Sequence, residues 1–420
     1  MKKETGQHAT KIGLGAKIMF LAAALLLISY AGILWAHRPD KPQEQEAVYS
    51  ETAGDQFGTE SGQIPRYDAA ATAGTTNQTS APKPEQTAEI LPPGSEIAVD
   101  RPTQTPAPDP SEEPTEDGTI RDSGEMQGNI YITDNAGYGL YYFSLDGADA
   151  FAQAMNQFYR NVGDKVNIYA MIVPISAGVM LDQSVLDDMG TSDEAKALDY
   201  LYSQMDPGIH TVSVFDNLKQ HNAEYIYFHT DHHWTALGAY YAYEIFCQEK
   251  GLTPHRLEDY ETMVFENFKG TFFTTANQAS SLGANPDTII AYIPKGTNEM
   301  RMEQSNGNQY DWRIVNDVSD YPESELYSAF AGGDNPWSYA HNETISDGSS
   351  VVVIKDSYGN AFIPWLVDHY EHIYWIDIRY TRNTISEMVE DYGIQDVLVC
   401  LNIYNGTTAG VTDLLAGIGQ

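Results

Sequence analysis

Residues 225–234 read YIYFHTDHHW, an apolar run followed by an acid, two histidines and a tryptophan. The apolar run at 225–228 predicts a buried strand, and the apolar spacing of Ala236–Glu249 predicts a helix. Open α/β sheets commonly hold their ligands where a strand gives way to a helix. A carboxylate can orient an imidazole that titrates near neutral pH, so Asp231 and His233 are candidates for a general-base pair. The alternative is two solvated loop histidines beside a residue that caps the helix.

A second stretch, SVVVIKDSYGN at 350–360, has the same organisation. Its first five residues predict a buried strand, and Pro364 places the start of the following helix between Ala361 and Pro364. Ser357 then lies at the carboxyl end of the strand, where a nucleophile is accessible. The backbone N–H groups that follow, beginning at Tyr358, can receive an oxyanion. The alternative is a serine or an aspartate that caps the helix.

The two stretches support each other because a serine needs a base to become nucleophilic, and that base needs an orienting acid. The carboxyl ends of parallel strands lie at one edge of a sheet, so both stretches are expected at the same edge. The sequence therefore predicts a catalytic triad in the chain order Asp231, His233, Ser357.

Strands alternate with helices over residues 128–420, which predicts one α/β domain with a parallel sheet and helices on both faces. Residues 129–143 predict a hairpin, and the less regular residues 255–345, with a strand at 288–293, predict an insertion or a lid near the site. The other predicted strands are 166–173, 212–215, 350–354, 372–376 and 396–401, and the predicted helical segments are 146–159, 194–205, 217–221, 236–249 and 364–370.

The N-terminal part differs from this domain in composition. Residues 18–36 are uncharged and apolar, with the length of a bilayer-spanning helix. The first lysines all lie in residues 1–17, which predicts a cytoplasmic N-terminus and an extracellular domain. A cleaved signal peptide is the alternative, but an apolar run that ends in Leu-Trp-Ala favours an uncleaved anchor. Residues 37–127 are rich in Pro, Thr and acidic residues and predict a disordered spacer.

Charge and cysteine usage exclude several classes of partner and site. The formal net charge of −36 argues against nucleic acid as a partner. Cys247 and Cys400 each lie in an apolar segment, and outside the membrane they could form a disulfide or remain two buried thiols. Neither has a CxxC partner, so the sequence predicts no metal or redox site and no cofactor.

The segments TDHHW at 230–234, VVIKDSYGNAF at 352–362 and IDIRY at 376–380 resemble the DHHW protein family of Gram-positive bacteria. That family is similar to the SGNH-hydrolase-like acetyltransferases typified by the alginate O-acetylation proteins. The resemblance covers about residues 128–420 and implies an SGNH-like α/β fold.

Carried over to this sequence, the resemblance implies a role for each motif residue. Asp231 matches the orienting acid, His233 the base and Ser357 the nucleophile. Trp234 matches the family tryptophan, which either packs in the interior or faces the substrate.

The residues that would bind the oxyanion or the substrate are less defined. No GDS nucleophile block of the hydrolase type occurs near the start of the domain. The segment GGDN at 332–335 is the candidate, with Gly333 and Asn335 as donors, and its alternative is an ordinary turn. Tyr358, directly after Ser357, is the remaining candidate.

These observations predict a membrane-anchored extracellular protein that acetylates, or deacetylates, a cell-surface polysaccharide through an acyl-serine. The resemblance implies that a membrane-embedded partner supplies the acyl group. One alternative is a non-catalytic polysaccharide-binding or assembly protein on the same fold, to which the 28 Tyr and 6 Trp residues would offer stacking surfaces. Another is a metal-dependent hydrolase that uses Asp231, His232 and His233, although the chain has no set of Asp-rich motifs to complete such a site.

Overall fold

The computed structural model describes residues 118–419. The predicted cytoplasmic segment 1–17, the predicted anchor 18–36 and the predicted spacer as far as residue 117 lie outside the described residues. Among the helices of the described part, none combines the length and the apolar composition needed to cross a bilayer.

The strands of the described part are, in chain order, β1 (Glu125–Gln127), β2 (Ile130–Ile132), β3 (Gly137–Gly139), β4 (Asn167–Val173), β5 (His210–Thr211), β6 (Glu261–Phe268), β7 (Asp287–Ile293), β8 (Glu299–Glu303), β9 (Gln309–Arg313), β10 (Trp337–His341), β11 (Ser350–Lys355), β12 (His372–Asp377) and β13 (Asp396–Asn402). The helices are α1 (Leu145–Val162), α2 (Ser176–Met180), α3 (Gln183–Met189), α4 (Glu194–Ser203), α5 (Phe215–Gln220), α6 (Ala236–Lys250), α7 (Thr271–Thr275), α8 (Ser280–Ala284), α9 (Gly359–Leu366), α10 (Ile385–Tyr392) and α11 (Ala409–Ile418).

The central sheet has eight strands in the order β5-β4-β13-β11-β12-β10-β8-β9. Neighbouring strands from β5 to β12 are parallel, whereas β10, β8 and β9 are added antiparallel. All residues of β11 and β13 are buried, as expected for parallel strands covered on both faces. The edge strand β9 is mostly exposed and carries charged residues, which discourages pairing with another chain.

Two groups of helices pack beside this sheet. Helix α1 packs against α4, α10 and α11, and helix α6 packs against α5 and α9. In α1 the predicted apolar positions Phe151, Met155 and Phe158 are buried, and Ser144 caps the helix by accepting a hydrogen bond from the N–H of Gly147. The prediction of an α/β fold is confirmed, and the prediction of a parallel sheet is confirmed for the five strands from β5 to β12.

The predicted strand at 225–228 is wrong. Residues 226–235 form a loop that closes on itself, because Tyr227 and Trp234 form an isolated antiparallel bridge and the N–H of Thr235 donates to the carbonyl of Ile226 at 2.9 Å. The run is apolar because this loop is buried, and a short apolar run cannot be told from a strand by periodicity alone.

The irregular region 255–345 contributes more to the fold than an insertion or a lid would. It supplies β8, β9 and β10 to the central sheet, and β6 and β7 pair as a separate antiparallel ribbon. Because these three strands join the sheet antiparallel, the prediction of a parallel sheet is wrong for them.

Several element boundaries also differ from the prediction. Helix α9 begins at Gly359 and includes Pro364, so Ser357 lies closer to the helix than predicted. The predicted strand 212–215 is wrong, because residues 212–214 connect β5 to α5 and Phe215 begins that helix. The fold also begins before residue 128, since Ile120 pairs with Leu181 and β1 pairs with β2. These first pairings escaped the sequence analysis because β1 is polar and fully exposed.

Candidate active site

Ser357 lies in the turn between β11 and α9, and the carboxylate of Asp356 fixes that turn. One oxygen of Asp356 accepts hydrogen bonds from the N–H of Asn402 at 2.8 Å and from the side-chain amide of Asn405 at 2.7 Å. The other accepts from the N–H of Tyr358 at 2.9 Å. Burial raises the pKa of Asp356, while these hydrogen bonds oppose the rise. The turn is therefore tied to the end of β13, and it leaves Ser357 partly exposed at the carboxyl edge of the sheet.

The loop 226–235 is held by a second buried carboxylate, that of Asp287 at the start of β7. Asp287 accepts from the N–H of His229 at 2.8 Å and from the N–H of Thr230 at 2.7 Å. It also accepts from the hydroxyl of Thr230 at 2.5 Å and from the hydroxyl of Tyr225. These four donors, all from one short stretch of chain, fix the backbone that carries the next residue, Asp231.

Asp231, His233 and Ser357 form one continuous chain of hydrogen bonds. Nδ1 of His233 lies 2.6 Å from Oδ1 of Asp231, and Nε2 of His233 lies 2.8 Å from Oγ of Ser357. The same Oδ1 accepts the backbone N–H of His233 at 3.0 Å. With Nδ1–H donating to the carboxylate, Nε2 is the nitrogen that accepts the serine proton, which is the tautomer a nucleophilic serine requires.

The second oxygen of Asp231 is bound by helix α7. The N–H of Thr271 donates to Oδ2 at 2.7 Å, and its hydroxyl donates at 3.0 Å. Gly270 permits this approach, because a Cβ at that position would lie 2.2 Å from Cβ of Asp231. Burial would raise the pKa of Asp231, but the two neighbouring imidazoles and the donors from His233 and Thr271 hold it well below its usual range. The carboxylate is therefore ionised and fully hydrogen-bonded at neutral pH.

Tyr327 covers the imidazole of His233 from one side. The two rings are stacked at 9° with centroids 3.9 Å apart, and the Tyr327 hydroxyl donates to the carbonyl of Ser357 at 3.0 Å. Burial raises the pKa of Tyr327 well above its usual value, so the hydroxyl remains a donor. One side chain therefore fixes the plane of the base and the backbone of the nucleophile together.

His232 lies at the rim of the site and not in the proton path. Its Nδ1 is 2.6 Å from the hydroxyl of Thr271, and its carbonyl accepts the hydroxyl of Tyr358. Burial and the neighbouring charge of His233 lower the pKa of His232 to about 4, so the ring is neutral at pH 7.

Two of the residues predicted to bind oxyanion or substrate are interior residues in this structure. Trp234 is fully buried, and its indole N–H donates to the carbonyl of Tyr358 at 2.9 Å. The ring of Tyr358 is also fully buried, and its N–H is already held by Asp356. Both side chains therefore join the loop 226–235 to the turn at Ser357, and neither faces solvent.

The segment 332–335 lies near the ends of β11 and β12, but its predicted donors have partners. The N–H of Gly333 donates to the carbonyl of Phe330 at 3.0 Å. The side-chain amide of Asn335 donates to the carbonyl of Gly332 at 2.8 Å. In this conformation, neither is directed at an oxyanion on Ser357.

Asp334 in this segment belongs to a charge network in which Lys355 and Asp377 are fully buried, while Asp334 and Arg379 are partly exposed. Lys355 lies 3.2 Å from Asp334 and 3.4 Å from Asp377, and Arg379 lies 2.6 Å from each of the two carboxylates. Burial opposes the charge of Asp334, but Lys355 and Arg379 hold its pKa well below the usual range. The network joins the ends of β11 and β12 to the segment 332–335.

The carboxylate and imidazole atoms of Asp231, His232 and His233 lie within 4.8 Å of one another, which is close enough to consider a metal ion. However, both nitrogens of His233 are already held by side chains, one by Asp231 and the other by Ser357. A metal ion bound through His233 would have to displace one of these bonds. The arrangement therefore suits proton transfer better than metal ligation.

The family follows from a match over most of this fold. A family model described as DHHW protein matches residues 109–376. The chain belongs to the DHHW protein family. A DHHW family protein from Eubacterium siraeum DSM 15702 has a similar crystal structure, with a TM-score of 0.63, 28% sequence identity and coverage of 69% of this chain and 96% of that chain.

Two structures of Bacillus cereus PatB1 show the same fold as this DHHW family member. The one with a sulfonyl adduct has a TM-score of 0.57 at 17% identity and covers 68% of this chain and 97% of that chain. The other has a TM-score of 0.56 at 16% identity and covers 69% of this chain and 99% of that chain. No curated protein matches the sequence.

The three residues of the hydrogen-bonded chain lie in stretches recognisable from the sequence, whereas the residues that hold them do not. Thr271, Tyr327 and Asp287 all come from the irregular region 255–345, and none belongs to a recognisable motif. The one available signal was the apolar β-type pattern of 288–293, which places Asp287 at the start of a strand.

Proposed function

We propose that this DHHW protein is a serine-dependent acyl-transfer enzyme that acetylates, or deacetylates, hydroxyl groups of a cell-surface polysaccharide. The observation that carries the proposal is the continuous hydrogen-bonded chain from Asp231 through His233 to Ser357. The stacked Tyr327 and the donors from Thr271 support it, because they hold the base and the acid in one orientation.

In the proposed first step, Nε2 of His233 takes the proton of Ser357 as Oγ attacks the carbonyl carbon of an acyl ester. Asp231 stabilises the imidazolium that forms. The tetrahedral intermediate collapses, the ester C–O bond breaks, and His233 returns the proton to the departing alcohol. In the second step His233 takes a proton from an acceptor hydroxyl as that hydroxyl attacks the acyl-serine. The bond between the acyl carbon and Oγ breaks, and His233 returns the proton to Oγ of Ser357. A sugar hydroxyl as acceptor gives transfer, and water gives hydrolysis.

The proposal includes a location and a source of acyl groups. The apolar residues 18–36 would anchor the chain in the lipid bilayer with its N-terminus in the cytoplasm, and the domain would face the outside. The acyl group would come from a membrane-embedded partner. The net charge of −36 agrees with a neutral or cationic partner and not with nucleic acid.

A sulfonyl fluoride tests the nucleophile without knowledge of the natural donor or acceptor. It reacts with activated serine hydroxyls, so we expect one sulfonyl group per full-length chain, located on Ser357 by peptide mass analysis. Ser357→Ala and His233→Ala should both abolish labelling, while the exposed Ser319→Ala should be labelled like the wild type.

The same variants are then tested for release of acetate from an acetyl ester and for transfer of labelled acetyl groups to isolated cell-wall polysaccharide. Labelling of Ser357 together with transfer supports the transferase, and labelling with acetate release alone supports the esterase. An unlabelled wild type that still binds polysaccharide would contradict the proposal in favour of a non-catalytic binding protein.

A further inference from the structure

A second group of convergent side chains lies on β10 and β12, outside the site described above. His341 and His372 are direct cross-strand partners, and Glu371 precedes His372 at the start of β12. Oε1 of Glu371 lies 3.9 Å from Nε2 of His341 and 3.7 Å from Nε2 of His372. The two imidazoles are stacked at 15° with centroids 4.9 Å apart. The three ligand atoms lie within 4.8 Å of one another.

Neighbouring groups hold two of the three side chains with their ligand atoms facing each other. Nδ1 of His372 lies 2.9 Å from the hydroxyl of Tyr339, so a proton on Nδ1 leaves the lone pair on Nε2. Oε2 of Glu371 accepts the N–H of Gly348 at 2.7 Å, while Oε1 faces the imidazoles. Hydrogen bonds of this kind, on the atom that does not bind the metal, are typical around metal ligands.

This cluster is remote from Ser357. His372 pairs with Ser350 at the start of β11, whereas Ser357 follows the other end of that strand. At roughly 3.3 Å per residue, the length of β11 separates the two by about 16 Å. The cluster therefore cannot take part in acyl transfer, and the inference below is independent of the proposed function.

We propose that His341, Glu371 and His372 bind one divalent transition-metal ion of the zinc type. Two imidazole nitrogens and one carboxylate oxygen suit Zn²⁺ and its neighbours, whereas Ca²⁺ and Mg²⁺ prefer oxygen ligands. Ligands about 2.0–2.2 Å from Zn²⁺ in a tetrahedron lie about 3.3–3.6 Å apart. The two observed Nε2–Oε1 distances of 3.9 and 3.7 Å are slightly longer than this range, and because the stacked imidazoles have near-parallel Nε2 lone pairs, both rings would tilt toward Oε1 when the ion binds.

Such an ion would join the two parts of the central sheet. Strand β12 is the last parallel strand and β10 is the first antiparallel one, and the ion would connect them at one end of their ladder. The His341 side chain is 40% exposed, so water can complete the coordination and the ion can enter from solvent. The metal-bound protein is expected to unfold at a higher temperature, because the ion binds the paired strands β10 and β12 of the folded chain and not the unfolded chain.

The test is calorimetric titration of the full-length chain with ZnCl₂, after removal of metal by a chelator and without a histidine tag. We expect one equivalent bound and a rise in Tm. His341→Ala and Glu371→Gln should each lose that equivalent and the rise in Tm. Tyr339→Phe should weaken binding by about tenfold, because it removes the hydrogen bond that orients His372. Circular dichroism checks that each variant is folded.

Two controls separate this cluster from other histidines. The exposed pair His210 and Glu249 has a similar His–Glu contact, so His210→Ala should retain the bound equivalent. His233→Ala disrupts the cluster of Asp231, His232 and His233, and should retain it as well. The proposal is overturned if the wild type binds no zinc, if His341→Ala binds it unchanged, or if only His233→Ala loses it. With Co²⁺ in place of Zn²⁺, visible absorption bands that His341→Ala lacks would support the site independently.

Discussion

At the scale of single residues, the orientation of one imidazole decides what the candidate site can do. Asp231 accepts from His233 through Oδ1 and from Thr271 through Oδ2, so the two oxygens have separate tasks. Tyr327 adds a stacked ring and a hydrogen bond to the backbone of Ser357. The base can therefore rotate little, and its proton-accepting nitrogen stays directed at the serine.

Asp231→Asn tests whether the hydrogen bond from Nδ1 of His233 to Asp231 sets the tautomer of the imidazole. Thr271 presents two donors to Oδ2, whereas at Oδ1 the backbone N–H of His233 is the one donor that a change of imidazole tautomer leaves in place. The amide oxygen should therefore occupy the place of Oδ2, with the NH₂ group facing His233. Nδ1 of His233 must then accept, the proton moves to Nε2, and the base can no longer take the serine proton. We expect kcat for an acetyl ester to fall about 10³- to 10⁴-fold with little change in KM.

The matched control is Asp320→Asn, which changes an exposed carboxylate and should leave kcat unchanged. Steady-state kinetics of both variants, with circular dichroism to verify folding, are sufficient. A loss of less than tenfold in Asp231→Asn would mean that the carboxylate does not set the tautomer of His233.

Only some residues of the candidate site could be predicted from the sequence. The motif at 230–234 and the serine after the apolar strand of β11 were visible, because each carries chemistry within a short recognisable stretch. Asp287, Thr271 and Tyr327 were not, because each acts through a contact across at least 30 positions of the sequence. No local pattern specifies such a contact.

At the scale of elements, the predictions are correct where a local pattern specifies the element and wrong where tertiary contacts specify it. The parallel strands β4, β11, β12 and β13 were predicted because strands buried on both faces are continuously apolar. The run at 225–228 is equally apolar but forms a buried loop around the motif. Strands β8 and β9 were missed because they are partly exposed and polar, so their pairing in the sheet depends on tertiary contacts that a local pattern does not contain.

Helix α4 begins with a buried acid that makes stability depend on pH. Glu194 accepts the N–H groups of Ile175 and Gly178, each at 2.9 Å. Burial nevertheless raises its pKa to about 8 in the folded chain, well above the ordinary value of a glutamate. Below the ordinary pKa, the carboxyl is protonated whether the chain is folded or unfolded, so its ionisation does not change the free energy of unfolding.

As pH rises from about 4.5 to about 8, the unfolded chain loses this proton before the folded chain does, so the folded state is progressively destabilised. Glu194→Gln removes that titration. We therefore expect the variant to gain stability relative to the wild type by about 1.4 kcal/mol per pH unit within this window, and no further above it. Urea unfolding of both proteins at pH 5, 6.5 and 8 measures the difference.

The exposed Glu258→Gln serves as the control and should give a difference from the wild type that does not vary with pH. If the difference for Glu194→Gln were equally constant across the three pH values, the carboxyl would have to titrate alike in the folded and the unfolded chain.

At the scale of the whole molecule, the two cysteines connect the fold to its proposed location. The sequence left open a disulfide or two thiols, and the structure has Cys247 in α6 and Cys400 in β13 as free cysteines. Both are fully buried. Burial raises the pKa of Cys247 to about 12 and that of Cys400 well above its usual value, so neither forms the reactive thiolate at neutral pH.

At the proposed extracellular location, two unpaired thiols would resist oxidation only while both stay buried. The chain has 2 cysteines in total, so the number of thiols that react with a thiol reagent reports on Cys247 and Cys400 alone. We expect no reaction of the native chain, two modified thiols after denaturation, and the same Tm with and without a reductant. A Tm that falls on reduction, together with fewer than two thiols in the unreduced denatured chain, would instead mean that Cys247 and Cys400 are joined. Helix α6 and strand β13 would then have to pack more closely than they do here, because a disulfide brings the two sulfur atoms to about 2 Å.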